Sequence, residues 1–334
     1  MNKPINIGVV GLGRLGRLYA RYFTNRLPGA RLYGVTDVAP EAVKATVAET
    51  GAKGFATTAD LLADPAVDAI VVMTPTKMHG EVVIAAAAAK KAIFCEKPLS
   101  LEVSEGEAMQ AAVAKHGVFF QLGFMRRFDK AYAAAKKRID AGEIGTPVIF
   151  KSSSKDALPP PVEYLRPASS GGLFIDMGIH DFDLARWYMG EVKDVFSVGN
   201  SIAFPEISKV GDVENGLSTM NFVNGGIGTI SLSRIGIYGY GIHTEIVGTK
   251  GTIQIGYDRE TAILVMTKDQ IAHDTVPGFY ERFEQAYITQ LQDFVDNLVH
   301  GRPAPIVADD GIRAQRIAIA ATKSLHSGQA EKVA

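Results

Sequence analysis

Ile5-Asn6-Ile7-Gly8-Val9-Val10-Gly11-Leu12-Gly13-Arg14-Leu15-Gly16 decides the fold of the amino-terminal part of this chain. The first six residues are short, apolar and rich in β-branched side chains, which reads as a buried strand. Three glycines follow at GxGxxG spacing, and residues 15–24 then read as a helix. Strand, glycine turn and helix form the context in which this spacing makes a dinucleotide site. Gly11 permits the tight turn, Gly13 keeps a Cβ out of the path of a pyrophosphate, and Gly16 lets the helix pack closely on the strand. The helix N-terminus supplies free N–H groups and a partial positive charge, and Leu12, Arg14 and Leu15 complete the loop. The competing reading is an ordinary strand-to-helix turn, and the next segment decides between them.

Residues 31–36 read as a second strand that ends in Asp37, about 20 residues beyond Gly16, where an acid accepts hydrogen bonds from ribose hydroxyls and repels a 2′-phosphate. No arginine follows among Val38, Ala39 and Pro40, and Lys44 is the nearest cation beyond them. This selects NAD over NADP. Further strands are read at 69–73, 92–95 and 118–122, with helices at 40–49, 78–89 and 101–116, giving five strands and their crossovers. The fold class is therefore α/β, a doubly wound parallel Rossmann sheet over residues 1–123. Residues 124–334 form a second, α+β domain for substrate and oligomerisation. There the sequence predicts a helix at 129–141, a strand at 147–153, a Pro-rich loop at 158–167 and a helix from Gly171-Gly172 to about Met189. Successive strands at 192–275 and two closing helices at 281–300 and 309–327 follow. Those strands imply a large, open, mostly antiparallel sheet whose second face needs cover. A homo-oligomer, a dimer or tetramer through that sheet, is the expected solution.

Two segments fall at strand carboxyl ends, where open α/β sheets bind ligands: Thr74-Pro75-Thr76-Lys77-Met78-His79 and Glu96-Lys97-Pro98. With residues 11–16, the run Gly123-Phe124-Met125-Arg126-Arg127-Phe128-Asp129, residues 171–183 and Val247-Gly248-Thr249-Lys250-Gly251, they make the chain resemble the Gfo/Idh/MocA oxidoreductases over essentially its whole length. The Met-Arg-Arg-Phe-Asp and Asp-Met-Gly-Ile-His-Asp-Phe-Asp segments are most similar to the inositol 2-dehydrogenases and related polyol-oxidising members. The resemblance implies hydride transfer from a ring CH–OH to NAD, cofactor contacts at Thr74, Pro75, Thr76, His79, Glu96 and Lys97, and a cis peptide before Pro98. It also implies substrate contacts at Lys97, Arg127, Asp156, Asp176 and His180. For Arg127 a surface ion pair is the alternative, and for Asp156 a loop acid. Tyr240 lies in Tyr238-Gly239-Tyr240, which resembles a Tyr-Gly-Tyr-Asp segment of the family, but Gly241 stands where the acid is usual. Tyr240 and Tyr280 are candidate pocket walls.

The proposed chemistry also follows from the residues. Asp176 and His180 are spaced i, i+4 on the expected helix, so the carboxylate orients and charge-stabilises an imidazole that takes the hydroxyl proton. Lys97 donates to the same oxygen and stabilises the charge that develops there. A core or N-capping histidine is the alternative for His180.

Composition closes off other classes. The 334 residues carry 35 Lys plus Arg against 36 Asp plus Glu, so no basic field exists to hold nucleic acid. The apolar runs at 69–73 and 82–89 are far shorter than a bilayer span, and no export signal is read at the start. With one cysteine, Cys95, these features point to a soluble protein of the reducing cytoplasm. The other histidines lack partners at ligand spacing, so no metal is expected, and no Gly-x-Ser-x-Gly is present for serine hydrolysis. The substrate reading is a cyclitol, myo- or scyllo-inositol. An aldose such as D- or L-glucose, which presents a similar ring of hydroxyls, is the alternative. A member with tightly bound NAD, glycosidase-like or NAD-sensing, is a further alternative, although a sensor would have no need of Lys97, Asp176 and His180.

Overall fold

The computed structural model describes residues 3–257 and 259–333, which divide into two compact units. One comprises the chain up to Met125 together with Tyr287–Ile312, and the other comprises Arg126–Ala286 with the chain from Arg313 onward. Among the described residues no helix is long and apolar enough to cross a membrane.

The first unit runs β1 (Ile5–Val10), α1 (Arg14–Asn25), β2 (Ala30–Thr36), α2 (Pro40–Thr50), β3 (Lys53–Gly54), α3 (Thr58–Ala63), β4 (Ala69–Val72), α4 (His79–Ala88), β5 (Ala92–Glu96), α5 (Val103–His116) and β6 (Phe120–Gly123). Its six strands pair in parallel in the order β3-β2-β1-β4-β5-β6. The order reverses between β1 and β4, so crossovers before and after that point cover opposite faces and the strand ends open a crevice there. Both faces being covered explains why Ile7, Val9, Ile70, Val71, Ile93 and Phe94 have no exposed surface and why these strands read as unbroken apolar runs. The sequence reading found five strands. The sixth, β3, is two exposed residues with no apolar run to betray it. The missed helix α3 is six residues long and is nucleated by Thr57, whose hydroxyl accepts from the Asp60 N–H at 3.1 Å.

The second unit runs α6 (Lys130–Asp140), β7 (Pro147–Lys155), the one-turn helices α7 (Val162–Leu165), α8 (Pro167–Ser170) and α9 (Leu173–Asp176), then α10 (Ile179–Met189), β8 (Val192–Asn200), α11 (Pro205–Lys209), β9 (Asn215–Phe222), β10 (Ile227–Ser233), β11 (Gly241–Gly248), β12 (Thr252–Ile255) and a small hairpin of β13 (Val265–Met266) and β14 (Ile271–Ala272). α12 (Phe279–His300) starts in this unit and ends in the first. α13 (Ala308–Ser327) returns, and β15 (Glu331–Lys332) ends the described chain. The sheet order is β12-β11-β7-β10-β9-β8-β15, with β7 and β10 parallel and every other pair antiparallel. Strict alternation in β9 buries Gly216, Ser218, Met220 and Phe222 on one face and turns Leu217, Thr219 and Asn221 to the other.

α11 interrupts a stretch that reads as strands alone, and a buried carboxylate fixes its approach. Glu214 has no exposed surface and accepts from the backbone N–H groups of Ile202, Ala203 and Phe204 at 2.8, 2.7 and 2.6 Å. Glu214→Ala leaves three neighbouring donors without an acceptor and is expected to cost on the order of 3 kcal/mol. Thermal denaturation checks this, and an unchanged melting temperature would contradict it.

Candidate functional site

In the first unit, the glycine loop joins β1 to α1. Gly11 has φ +95°, and a Cβ on it would lie 2.6 Å from the Met73 carbonyl carbon and oxygen. A Cβ on Gly16 would lie 2.1 Å from the Gly11 carbonyl oxygen. Both positions are therefore closed to any other residue, and they press the loop against the end of β4. Gly13 differs: it is exposed, and a Cβ there would meet nothing within 4 Å. No side chain caps α1, whose first bond runs from Arg17 N–H to Gly13 O at 3.0 Å. The N–H groups of its first turn therefore have no side-chain acceptor, an arrangement that suits a pyrophosphate.

Asp37 holds this cradle in shape. One carboxylate oxygen accepts from Leu12 N–H at 2.6 Å and the other from Ala39 N–H at 2.8 Å. Each oxygen keeps a second lone pair for a ribose hydroxyl. Lys44 is committed to Glu41 at 2.7 Å. Arg14 is exposed, Leu15 half-buried and Leu12 buried.

The loop after β4 carries exposed Pro75 and half-buried Thr74 and Thr76. His79 lies beneath it, 1% exposed, with Nδ1 at 2.9 Å from the Pro98 carbonyl and Nε2 at 3.0 Å from the Thr74 carbonyl. Burial pushes its pKa down, against the pull of these carbonyls. As a neutral imidazole His79 donates its one N–H to one of these carbonyls and packs against the other, between the two ligand-end loops.

Lys97 is half-buried and precedes a cis peptide to Pro98, as the resemblance implies. Glu96 is buried. It accepts from the Tyr19 hydroxyl, from Gln290 Nε2 at 3.3 Å and from Lys97 N–H at 3.1 Å, so it anchors the backbone that carries Lys97. Burial pushes the Glu96 carboxyl above the usual carboxylate range, against the pull of Tyr19 and Lys97. The folded state then holds this proton more tightly than the unfolded chain. The resulting stabilisation is present at acid pH and is lost as pH rises through the raised folded value. Glu96→Gln cannot ionise, so its melting temperature is expected to gain on that of the native protein as pH rises from the ordinary carboxylate range through the raised folded value. A difference that stays constant with pH would contradict this.

In the second unit, the expected continuous helix from residue 171 to 189 is broken. α9 ends at Asp176 and α10 starts at Ile179, with Met177 and Gly178 between them in right-handed helical backbone. The cause is Gly178. Its N–H bonds back to Leu173 O at 3.0 Å, and a Cβ on it would lie 2.8 Å from both Phe174 O and Leu232 Cδ1. The close approach to β10 that only glycine allows interrupts the regular hydrogen-bond ladder at this point. Asp176 accepts from the Tyr164 hydroxyl at 3.0 Å and from Arg234 Nη2 at 3.2 Å. His180 sits in the first turn of α10, 6% exposed. Asp156 follows β7, its N–H bonded to Ser233 O at 2.9 Å, and lies 3.9 Å from Arg234 Nη1.

The two acids after His180 anchor the two arginines of the Met-Arg-Arg segment. Asp181 has no exposed surface and takes Arg126 Nη1 at 3.0 Å, with the hydroxyls of Ser152 and Ser154. Burial alone would lower the Arg126 pKa, but the Asp181 carboxylate holds it above the usual range. Asp183 takes Arg127 through both Nε and Nη2, and Trp187 lies against that guanidinium at 5.5 Å. Arg127 is therefore engaged within the scaffold of α10. Tyr240 is 7% exposed and packs edge-on to Phe283, and burial raises its hydroxyl pKa despite the opposing charge of Arg126. Tyr280 stacks on Phe279 at 4.0 Å. Sequence reasoning missed Arg234, Tyr164, Tyr19 and Gln290. None stands in a motif, and only the pairing of adjacent arginines with acids two apart left a charge-complementarity signal, that of Arg126 and Arg127.

Residues 5–124 match the oxidoreductase family described as having an NAD-binding Rossmann fold, and residues 136–334 match its carboxy-terminal alpha/beta domain. The chain belongs to the Gfo/Idh/MocA oxidoreductase family. Among its relatives is a scyllo-inositol 2-dehydrogenase (NAD(+)) of Bacillus subtilis, 39% identical over 98% of this chain and 96% of that protein. A myo-inositol 2-dehydrogenase of Thermotoga maritima is 38% identical over 98% of each. The crystal structure of a scyllo-inositol dehydrogenase from Lactobacillus casei with bound NAD(H) and scyllo-inositol superposes with a TM-score of 0.94. It is 34% identical and covers 99% of both chains. For a Gfo/Idh/MocA protein, the open side of Gly13 and the uncapped start of α1 are the features that fit the cofactor.

Proposed function

We propose that this protein is an NAD-dependent dehydrogenase that oxidises a ring CH–OH of a cyclitol, myo- or scyllo-inositol, to the corresponding inosose. The observation that carries the reading is full-length similarity to enzymes named inositol 2-dehydrogenases, one of them solved with NAD(H) and scyllo-inositol. Bound NAD supplies the hydride acceptor. The loop at residues 11–16 seats its pyrophosphate, and Asp37 takes the ribose hydroxyls and disfavours a 2′-phosphate. Residues 74–76 flank the cofactor, while His79 and Glu96 hold the backbone behind it.

On the substrate side, His180 takes the hydroxyl proton on a ring nitrogen, Asp176 balances the imidazolium charge, and Lys97 donates to the reacting oxygen. Asp156 accepts from a ring hydroxyl away from the reaction, and Tyr240 and Tyr280 wall the ring. In this assignment Arg127 serves the scaffold through Asp183. Cofactor residues come from the first 123 positions and substrate residues other than Lys97 from 124–334. The test is the absorbance of reduced nicotinamide with NAD or NADP against myo-inositol, scyllo-inositol, D-glucose, L-glucose and D-xylose. Turnover with NAD and a cyclitol is the expected result, and silence with both cyclitols overturns the reading.

We also infer a homo-oligomer, a dimer or tetramer, through the outer face of the second unit's sheet. Phe196, Val198, Leu217 and Ile227 are exposed there, and Val198 pairs directly with Leu217 across β8 and β9. Leu217→Lys lowers the solution mass measured by light scattering if this holds. The single, buried Cys95 supports a cytoplasmic protein.

A further inference from the structure

Among the described residues Arg234 is the largest side chain with essentially no exposed surface, and it stands in a cluster of acids. Nη2 reaches Asp176 at 3.2 Å, Nη1 stands 3.9 Å from Asp156, and neither Nη1 nor Nε has a hydrogen-bond partner among the described residues. Asp212 completes the cluster. One of its oxygens accepts from Leu173 N–H at 2.9 Å, and burial pushes its carboxyl up while Arg234 draws it down. A buried guanidinium with two unsatisfied nitrogens is expensive, so its retention in a fold with ample apolar core calls for a role beyond packing.

The backbone dictates where it stands. Ser233 ends β10 opposite Lys155 of β7 in the parallel pair, Asp156 N–H bonds to Ser233 O, and Arg234 N–H bonds to Glu214 O at 2.9 Å. Arg234 is thereby set beside Asp156, and its fork extends to Asp176, whose other oxygen is tied to Tyr164. The side chains of Asp156 and Asp176 are 29% and 14% exposed and that of Arg234 is 0%, so a ligand reaches the carboxylates and not the guanidinium.

We propose that Arg234 is a positioning residue for the substrate side. Its guanidinium, hydrogen-bonded to Asp176 and within ion-pair reach of Asp156, sets the placement of the two carboxylates and thereby selects which pair of ring hydroxyls, and so which cyclitol stereoisomer, the site accepts. This rests on the reading above that Asp156 and Asp176 face substrate. Without the guanidinium the carboxylates repel, and neither has a preferred position relative to the other. A lysine keeps the charge but, as a point donor on a flexible stem, does not span both acids.

The experiment compares Arg234→Lys and Arg234→Met with the native enzyme, using myo-inositol and scyllo-inositol as probes and NAD affinity as a control. Arg234→Lys is expected to fold, to bind NAD normally, to raise KM for the preferred isomer about tenfold with a smaller fall in kcat, and to shrink the isomer preference. Arg234→Met should do the same more severely if it folds, with Arg234→Lys as partial rescue. An unchanged KM and isomer preference in Arg234→Lys overturns the proposal, as does a loss of stability and NAD binding in step with activity. Asp156→Asn and Asp176→Asn separate the two levels. If both leave KM and kcat unchanged, the substrate-side reading itself fails. If they impair turnover while Arg234→Lys does not, only the role of Arg234 fails.

Discussion

His180→Ala is expected to lower kcat for cyclitol oxidation by about 10²- to 10⁴-fold, the range that a positioned general base commands, with NAD affinity unchanged. The cofactor cradle is built from the β1–α1 turn and Asp37 in the first unit, whereas His180 stands in α10 of the second, so the substitution leaves the cradle's bonds intact. Packing does not disguise the effect: α10 is held by Asp181 on Arg126 and Asp183 on Arg127, and both pairs survive the change. Lys97→Met tests the other donor. Its backbone N–H bond to Glu96 survives any side chain, so activity should fall far more steeply than the melting temperature. Steady-state rates alongside NAD titrations followed by fluorescence decide the matter. A His180→Ala enzyme that keeps more than about a tenth of native kcat removes the general-base assignment.

The parts of this fold legible in the sequence are those where backbone geometry restricts the residue. Gly11 at φ +95° and Gly16 pressed on Gly11 O admit nothing larger, so the motif and the turn imply each other. Asp37 was legible for a related reason, since a strand end facing the loop has few positions for an acid. Two-residue β3 and six-residue α3 escaped because neither is long enough to show a period. The sequence reads as one helix across Gly178, where the tight approach to Leu232 and Phe174 interrupts the hydrogen-bond ladder. Arg234 was invisible for the opposite reason. Its meaning comes from β7–β10 pairing, which brings it to Asp156 across a sequence gap that no local pattern spans. Arg127 pairs with Asp183 beside Trp187, a partnership set by the packing of α10 across 56 residues that no local pattern spans.

Gly13→Ala separates the two reasons for a glycine in this loop. Gly13 has φ −64° and ψ −169°, an extended conformation open to alanine, and the added methyl meets no atom within 4 Å. The fold therefore gives no reason for glycine at this position. Restricting the unfolded chain should leave the melting temperature equal or slightly raised, since such replacements stabilise by about 0.4–1 kcal/mol. In the proposed cofactor site, the methyl occupies the space through which a pyrophosphate reaches the N–H groups of α1. Losing one or two of those charge-assisted bonds, at about 1.5–3 kcal/mol each, weakens NAD binding by about 10- to 100-fold or more. Gly16→Ala should behave in the opposite way, with its methyl 2.1 Å from Gly11 O forcing the turn apart and lowering stability before any ligand is added. Calorimetry of both variants with and without NAD tests the pair. If Gly13→Ala kept native affinity, the open side of Gly13 would not be where the phosphates lie, and the uncapped start of α1 would need another explanation.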